Sequence, residues 1–329
     1  MKHPVIRISA FLFLFVTLEV AAQAEPPTTW LLPPKDLTAI SYQYLNLETN
    51  ITPSYDVVLA NGNIDIGVNV IPITRTFSLG GNIAQVFISP TFGNLTASVN
   101  VEQIPGFGDL NLDPIEIIDK TGMMDSQVNF RMGLHNAPAL NIIEYSQWKR
   151  KFQVYGLFGL TIPLGEYDSS RRINLGANRW AFRFAVPMVV PLNKNEKQPA
   201  NWEVTPNFYV FTNNNDPFVG DTKSQKPLLT LQNHFSKYFT AKFFASLDLG
   251  YQYGGQAQID DLPKGEIINQ FAAAITGGYT IASIVKLQAS LGQIFFNDTN
   301  GTMFRFMATL AMPSKADRER IKQVSQQAQ

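Results

Sequence analysis

Residues Phe239 to Tyr253 read FTAKFFASLDLGYQY, and the odd positions Phe239, Ala241, Phe243, Ala245, Leu247, Leu249, Tyr251 and Tyr253 form one unbroken apolar row. The even positions include Thr240, Lys242, Ser246, Asp248, Gly250 and Gln252. Successive side chains of an extended strand point to opposite faces, so this run has one apolar and one polar face along its whole length. Strands of soluble sheets usually end after about 5 to 6 residues. A run this long, finishing in tyrosines, suits a strand that crosses a bilayer and ends in the interfacial aromatic girdle.

The pattern recurs. Trp180, Phe182, Phe184, Val186 and Met188 alternate with Arg179, Ala181, Arg183, Ala185 and Pro187. Val285, Leu287, Ala289 and Leu291 alternate with Lys286, Gln288, Ser290 and Gly292, and Phe304, Phe306, Ala308, Leu310 and Met312 with Arg305, Met307, Thr309 and Ala311. Such runs place strands near 37–50, 62–75, 81–99, 107–118, 150–163, 177–192, 201–213, 226–237, 239–254, 268–281, 283–296 and 302–313. Turn residues separate most of them, among them Gly80-Gly81, Asn193-Lys194-Asn195, Asn213 to Asp216 and Gly254-Gly255. Twelve is an even number, as a bacterial up-and-down barrel needs for both termini to emerge on one side. The fold class is therefore all-β: a single transmembrane antiparallel β-barrel of about 12 strands spanning residues 37–313. Residues 119–149 lack clean alternation and read as a short helix, a plug or a continuation of the fourth strand.

The first residues bear on location. Lys2 and Arg7 precede an apolar run from Ile8 to Val20, and small residues close it at Ala22-Gln23-Ala24. This is the layout of a secretory signal, so residues 1–24 are expected to be removed after Ala24. Residues 25–36 are Pro-rich and read as an extended periplasmic lead-in. Residues 314–329 turn abruptly charged and Gln-rich, a periplasmic helix or extension. Export leaves a soluble periplasmic protein or an outer-membrane barrel of a Gram-negative bacterium. With 24 Phe, 11 Tyr and 4 Trp, the composition favours contact with lipid. Cysteine is absent, so disulfides and thiolate metal sites are excluded. Without the leader the acids exceed the bases by one, which argues against nucleic acid as a partner. The expected partners are outer-membrane lipid, a small-molecule permeant and the barrel-assembly machinery.

Four stretches then carry a resemblance: Gly106-Phe107-Gly108-Asp109-Leu110; Leu160-Thr161-Ile162-Pro163-Leu164-Gly165-Glu166-Tyr167-Asp168; Asn174-Leu175-Gly176-Ala177-Asn178-Arg179-Trp180; and Ala245 to Tyr251 leading into Gly254-Gly255. In this order and spacing they resemble the outer-membrane transporters of the MetA-pathway-of-phenol-degradation family, from about Leu37 to Met312. The resemblance implies a transmembrane barrel that moves small hydrophobic or aromatic compounds. Leu164 stands where the family usually has Thr, and the chain lacks the terminal aromatic common in such barrels.

Catalytic and metal chemistry finds little purchase. Beyond the leader the histidines are His135 and His234 only, too few for a His-rich metal site. His234 shares a strand face with Ser236, the one hint of a lipid hydrolase; a lumen-facing histidine is the plainer reading. Gly106-Phe107-Gly108-Asp109 has no third glycine and no helix behind it, so it reads as a tight turn rather than a phosphate loop. Arg179, Arg183, Lys242, Lys286 and Arg305 are expected to point inward against Asp65, Glu203 and Asp248, because a midplane Arg or Lys facing lipid costs roughly 2 to 4 kcal/mol. Arg179, Arg183, Lys242, Asp248, Lys286 and Arg305 are the expected lumen-lining residues. No catalytic, cofactor-binding or metal-binding residue is expected, and no cofactor. The function so implied is passive transport of small, hydrophobic or aromatic molecules; the rival is a structural or adhesion barrel with a closed lumen.

Overall fold

A computed structural model of the chain describes residues 25–49, 62–99, 115–171, 173–264, 267–281, 284–296 and 299–327. The expected leader, its cleavage point and the Gly106 to Leu110 motif lie outside these residues.

Among the described residues twelve staves form one closed antiparallel barrel. They are β1 Thr38–Thr49, β2 in two segments Gly62–Val70 and Ile73–Leu79, β3 Asn82–Val99, β4 Ile115–His135, β5 Gln153–Ile162, and β6 in two segments Ala181–Ala185 and Met188–Pro191. Then follow β7 Ala200–Phe211, β8 Leu228–Tyr238, β9 Phe243–Gly254, β10 Ile268–Ile281, β11 Val285–Phe296 and β12 Thr299–Met312. β1 pairs with β12 from Thr38↔Met312 to Thr49↔Gly301, which closes the ring and removes every sheet edge. Among the described residues two short helices lie outside the wall: α1 Ile142–Gln147, started by an Asn141–Glu144 capping box, and α2 Lys315–Gln327, which is the charged tail.

Alternation decides which face meets lipid. On β9, Phe243, Leu247, Tyr251 and Tyr253 are exposed outward, while Phe244 and Ser246 are buried inside. At the end that holds both termini several connections are tight, Gly80-Gly81 and residues 239–242 among them, but the 136–152 link there is long and carries α1.

Four prolines interrupt the ladders in facing pairs. Pro72 splits β2 beside Pro90 of β3, where Ile71 N donates to Pro90 O at 3.0 Å and Ser41 N to Pro72 O at 2.9 Å. Pro187 splits β6 beside Pro206 of β7, with Val186 N donating to Pro206 O at 3.2 Å. Proline has no N–H to give the ladder, so each pair leaves a local break in the wall.

The fourth strand continues well past residue 118: within the described residues it runs over Ile115–His135, so of the readings for 119–149 continuation of the strand holds as far as His135, with α1 after it. The β3–β4 register shifts between Ser89 and Thr91, opposite Pro90, so β4 carries an extra residue there. A bulge of this kind flips the phase of the strand. Met124 and Ser126 are buried before it, and Asn129, Arg131 and Gly133 after it, which erases the alternation that a simple strand would show.

The lead-in is also corrected. Residues 25–32 do not hang below the barrel but thread into its lumen, where Trp30 is 1% exposed. No periodicity marks such a segment, because its backbone is satisfied by side chains of the wall rather than by a ladder.

Candidate functional site in the lumen

Strand register assembles the interior polar groups into rows. Glu203 of β7 faces His234 of β8, which faces Asp248 of β9. Further along, Ser246 faces Thr276, Thr276 faces Ser290, and Ser290 faces Arg305 of β12. His234 Nδ1 lies 2.8 Å from Asp248 Oδ1, Ser246 Oγ donates to the same oxygen at 2.6 Å, and Thr276 Oγ1 donates to Asp248 Oδ2. Asp248 is thus committed to the wall.

Glu203 serves the threaded segment. Its carboxylate, 0% exposed, accepts Thr28 N at 2.6 Å and Trp30 N at 2.8 Å. Thr28 has φ 70°, the left-handed region that β-branched residues seldom occupy, and this kink turns both N–H groups toward one carboxylate. Further tethers hold the segment. Lys286 Nζ donates to Thr28 Oγ1, Gln288 Nε2 donates to Pro27 O at 3.0 Å, and Arg131 lies over the rings of Trp30 and Tyr155 at 5.3 and 4.3 Å. Arg183 binds Glu25 through both terminal nitrogens, Nη2 at 3.0 Å, and its Nε donates to Asn207 Oδ1 at 2.8 Å. Buried charges without partners are costly, so each such contact favours the docked segment.

The opposite end is closed by the loop that carries the second and third motifs. Asp125 accepts Gly165 N at 2.9 Å and Ala177 N at 2.8 Å, pinning both motifs to β4. Gly165 and Gly176 touch: a Cβ on Gly176 would stand 2.6 Å from the Gly165 carbonyl oxygen. Only glycine permits that approach. Ile173, just before the third motif, and Leu175 within it are buried with Leu45, Leu47, Ile64, Ile66, Val68, Val70, Leu95 and Met124. Ser170 donates from Oγ and N to Asp168, holding that loop carboxyl below its ordinary range.

Of the expected lumen residues, Arg179, Arg183 and Arg305 are buried within the barrel, and Lys286 and Asp248 are partly buried there. Arg179 donates to Gln225, on a small sheet of Lys223–Gln225, Ala257–Ile259 and Leu262–Lys264 at the long-loop end. Lys242 differs. It sits exposed in the turn between β8 and β9, because the strand begins at Phe243 while the alternation in the sequence continues into the turn before it. Asp65 also differs: it is exposed and accepts Asn46 Nδ2 at 2.8 Å, since here the loop makes the interior apolar and the polar phase falls outside. His234 Nε2 and Ser236 Oγ are each buried without a hydrogen-bond partner, so the nucleophile–base contact of a hydrolase is not made. Among the described residues no three His, Asp or Glu side chains converge on a metal position.

Sequence reasoning missed Arg131, Trp30, Glu25 and Asp125. The Pro-rich segment hid two of them, and the β4 bulge hid the others.

Among the described residues, the threaded segment borders two cavities. The larger, about 180 Å³, is lined by Glu25, Trp30, Val70, Pro72, Phe87 and Met124 among others. The smaller, about 90 Å³, lies on the far side of Glu25 against His234, Asp248, Ser290 and Arg305.

Comparison with solved structures finds the same architecture in an outer-membrane channel from Pseudomonas putida F1, at a TM-score of 0.69 and 15% identity, covering 88% of this chain and 100% of that one. The β domain of the Bordetella autotransporter BrkA matches at a TM-score of 0.47 and 7% identity, over 84% of this chain and 100% of that chain. No curated protein matches the chain. Residues 48–305 match the family described as "Putative MetA-pathway of phenol degradation". The match covers well over half of the chain and includes the paired glycine motifs that close the lumen, and the chain belongs to this family.

Proposed function

We propose that the protein is a passive outer-membrane channel for small, hydrophobic or aromatic molecules, and that they cross the barrel wall at the Pro72–Pro90 break rather than run straight through the lumen. One observation carries this reading: the 180 Å³ cavity abuts that break, being lined by Val70, Pro72, Thr74, Ser89 and Thr91. Above it stands the apolar loop and below it the threaded segment, so an axial aqueous route is packed at both ends. An apolar cavity of about 150 Å³ suffices for a benzene ring. The membership in the family and the channel from Pseudomonas putida F1 support the same direction. Such transport needs no cofactor and no bond chemistry; affinity must be enough to admit the solute and weak enough to release it.

The test is uptake of radiolabelled toluene by intact Gram-negative cells, whose lipopolysaccharide leaflet is the barrier. Cells carrying the protein should take it up faster than cells with an empty vector. Equal rates at equal outer-membrane levels of folded barrel would overturn the reading.

A further inference from the structure

The channel reading leaves one arrangement unused. Arg183 is buried, and its guanidinium is met by the Glu25 carboxylate through both terminal nitrogens and by Asn207 Oδ1 through Nε. This is the fork geometry by which arginine recognises planar carboxylates. The other acids nearby are committed: Glu203 to Thr28 and Trp30, Asp248 to His234, Ser246 and Thr276, and Asp125 to the loop. Glu25 is the exception, since the described hydrogen bonds of its side chain go to Arg183 alone.

A second observation points to an anion at this place. Arg305 is 5% exposed, and its Nε and Nη2 have no hydrogen-bond partner. It lines the smaller cavity together with Glu25. A buried guanidinium with idle donors beside a cavity is an anion site short of its ligand. The larger cavity begins at the other side of Glu25 and offers Trp30, Phe87 and Leu157 as an apolar lining.

We propose that Arg183, Asn207 and Arg305 form a carboxylate-binding site that the chain's own Glu25 fills, and that the permeant it serves is a monocarboxylate on a single apolar ring. This rests on the channel reading and narrows its substrate class. Glu25 is an internal stand-in: it neutralises Arg183 while the channel is empty. An arriving carboxylate takes over the fork, its ring enters the 180 Å³ cavity, and Glu25 is displaced. No covalent step is involved.

The test is calorimetric titration of the purified full-length barrel in detergent with benzoate and with its uncharged isostere benzamide. Benzoate should bind wild type at least ten-fold more tightly than benzamide. Glu25→Gln, which removes the internal competitor's charge, should tighten benzoate at least a further ten-fold and benzamide by clearly less. Arg183→Gln should abolish the preference for benzoate, and Arg183→Lys should restore part of it. Equal binding of the two ligands to wild type, or a benzoate affinity indifferent to Glu25→Gln, would overturn the site. If Arg183→Gln fails to show heat-modifiable migration, the Glu25→Gln comparison decides alone. Toluene uptake separates the two readings. Uptake without any benzoate preference sinks this site and spares the channel, whereas a benzoate preference without toluene uptake contradicts the broader hydrophobic channel.

Discussion

Glu203→Ala is the change that strikes hardest at the threaded segment. The carboxylate accepts two backbone N–H groups, from Thr28 at 2.6 Å and Trp30 at 2.8 Å, in a site closed to solvent. Hydrogen bonds to a charged group contribute about 1.5 to 3 kcal/mol each, so removing both weakens docking by about 3 kcal/mol at the low end. That is roughly a hundred-fold shift in the docked-to-undocked ratio. Glu25, Gln288, Lys286 and Arg131 still hold the segment, so it should leave intermittently rather than permanently. In planar bilayers wild type should show little conductance, and Glu203→Ala should show brief openings far more often. Acrylamide should quench Trp30 emission more strongly in the variant. Glu203→Gln keeps one acceptor and should fall between the two. A folded Glu203→Ala barrel with wild-type conductance and quenching would refute the assignment of Glu203 as the anchor.

Other consequences follow from single contacts. Asp125→Ala leaves Gly165 N and Ala177 N without their acceptor, and the 163–180 loop should become cleavable by added protease at concentrations that spare wild type. Gly176→Ala forces a methyl against the Gly165 carbonyl, an overpacking worth about 1 to 3 kcal/mol, and should lower the temperature at which the barrel loses its compact gel migration. Leu247→Arg places a charge on the lipid face at a cost of roughly 2 to 4 kcal/mol and should reduce the folded fraction in the outer membrane. Lys242→Gln, in an exposed turn, should leave that fraction unchanged; a comparable loss from both would mean that β9 is phased wrongly.

The barrel was largely legible because its wall obeys one rule. Every strand that faces lipid must keep its apolar side in phase; β9 does so from Phe243 to Tyr253, and β10, β11 and β12 do so until Asn269, Gln293 and Thr302 near the long-loop end. The rule fails where lipid stops acting. Asp65 sits in a part of β2 whose inner side is packed by Ile173 and Leu175, as in a soluble core, and its phase inverts accordingly. Between Met124 and Gln127 a bulge resets the phase, so a long strand has the look of irregular chain. The paired motifs were visible as words, but their joint purpose was not. Gly165 and Gly176 meet only in three dimensions, under Asp125. The Pro-rich segment offered no pattern at all; the nearest hint was an excess of inward cations, Arg183 and Lys286 among them, wanting partners that Glu25 and Thr28 supply.

The claim that solutes cross at the proline break is tested most directly by bolting that break shut. The chain has no cysteine, so Val70→Cys with Thr91→Cys, opposite one another across β2 and β3 and both lining the larger cavity, introduces the only thiols. Toluene uptake should be lost when this pair is oxidised and should return on reduction. Uptake that is the same in both states, with the disulfide shown to be formed, would contradict passage through the wall.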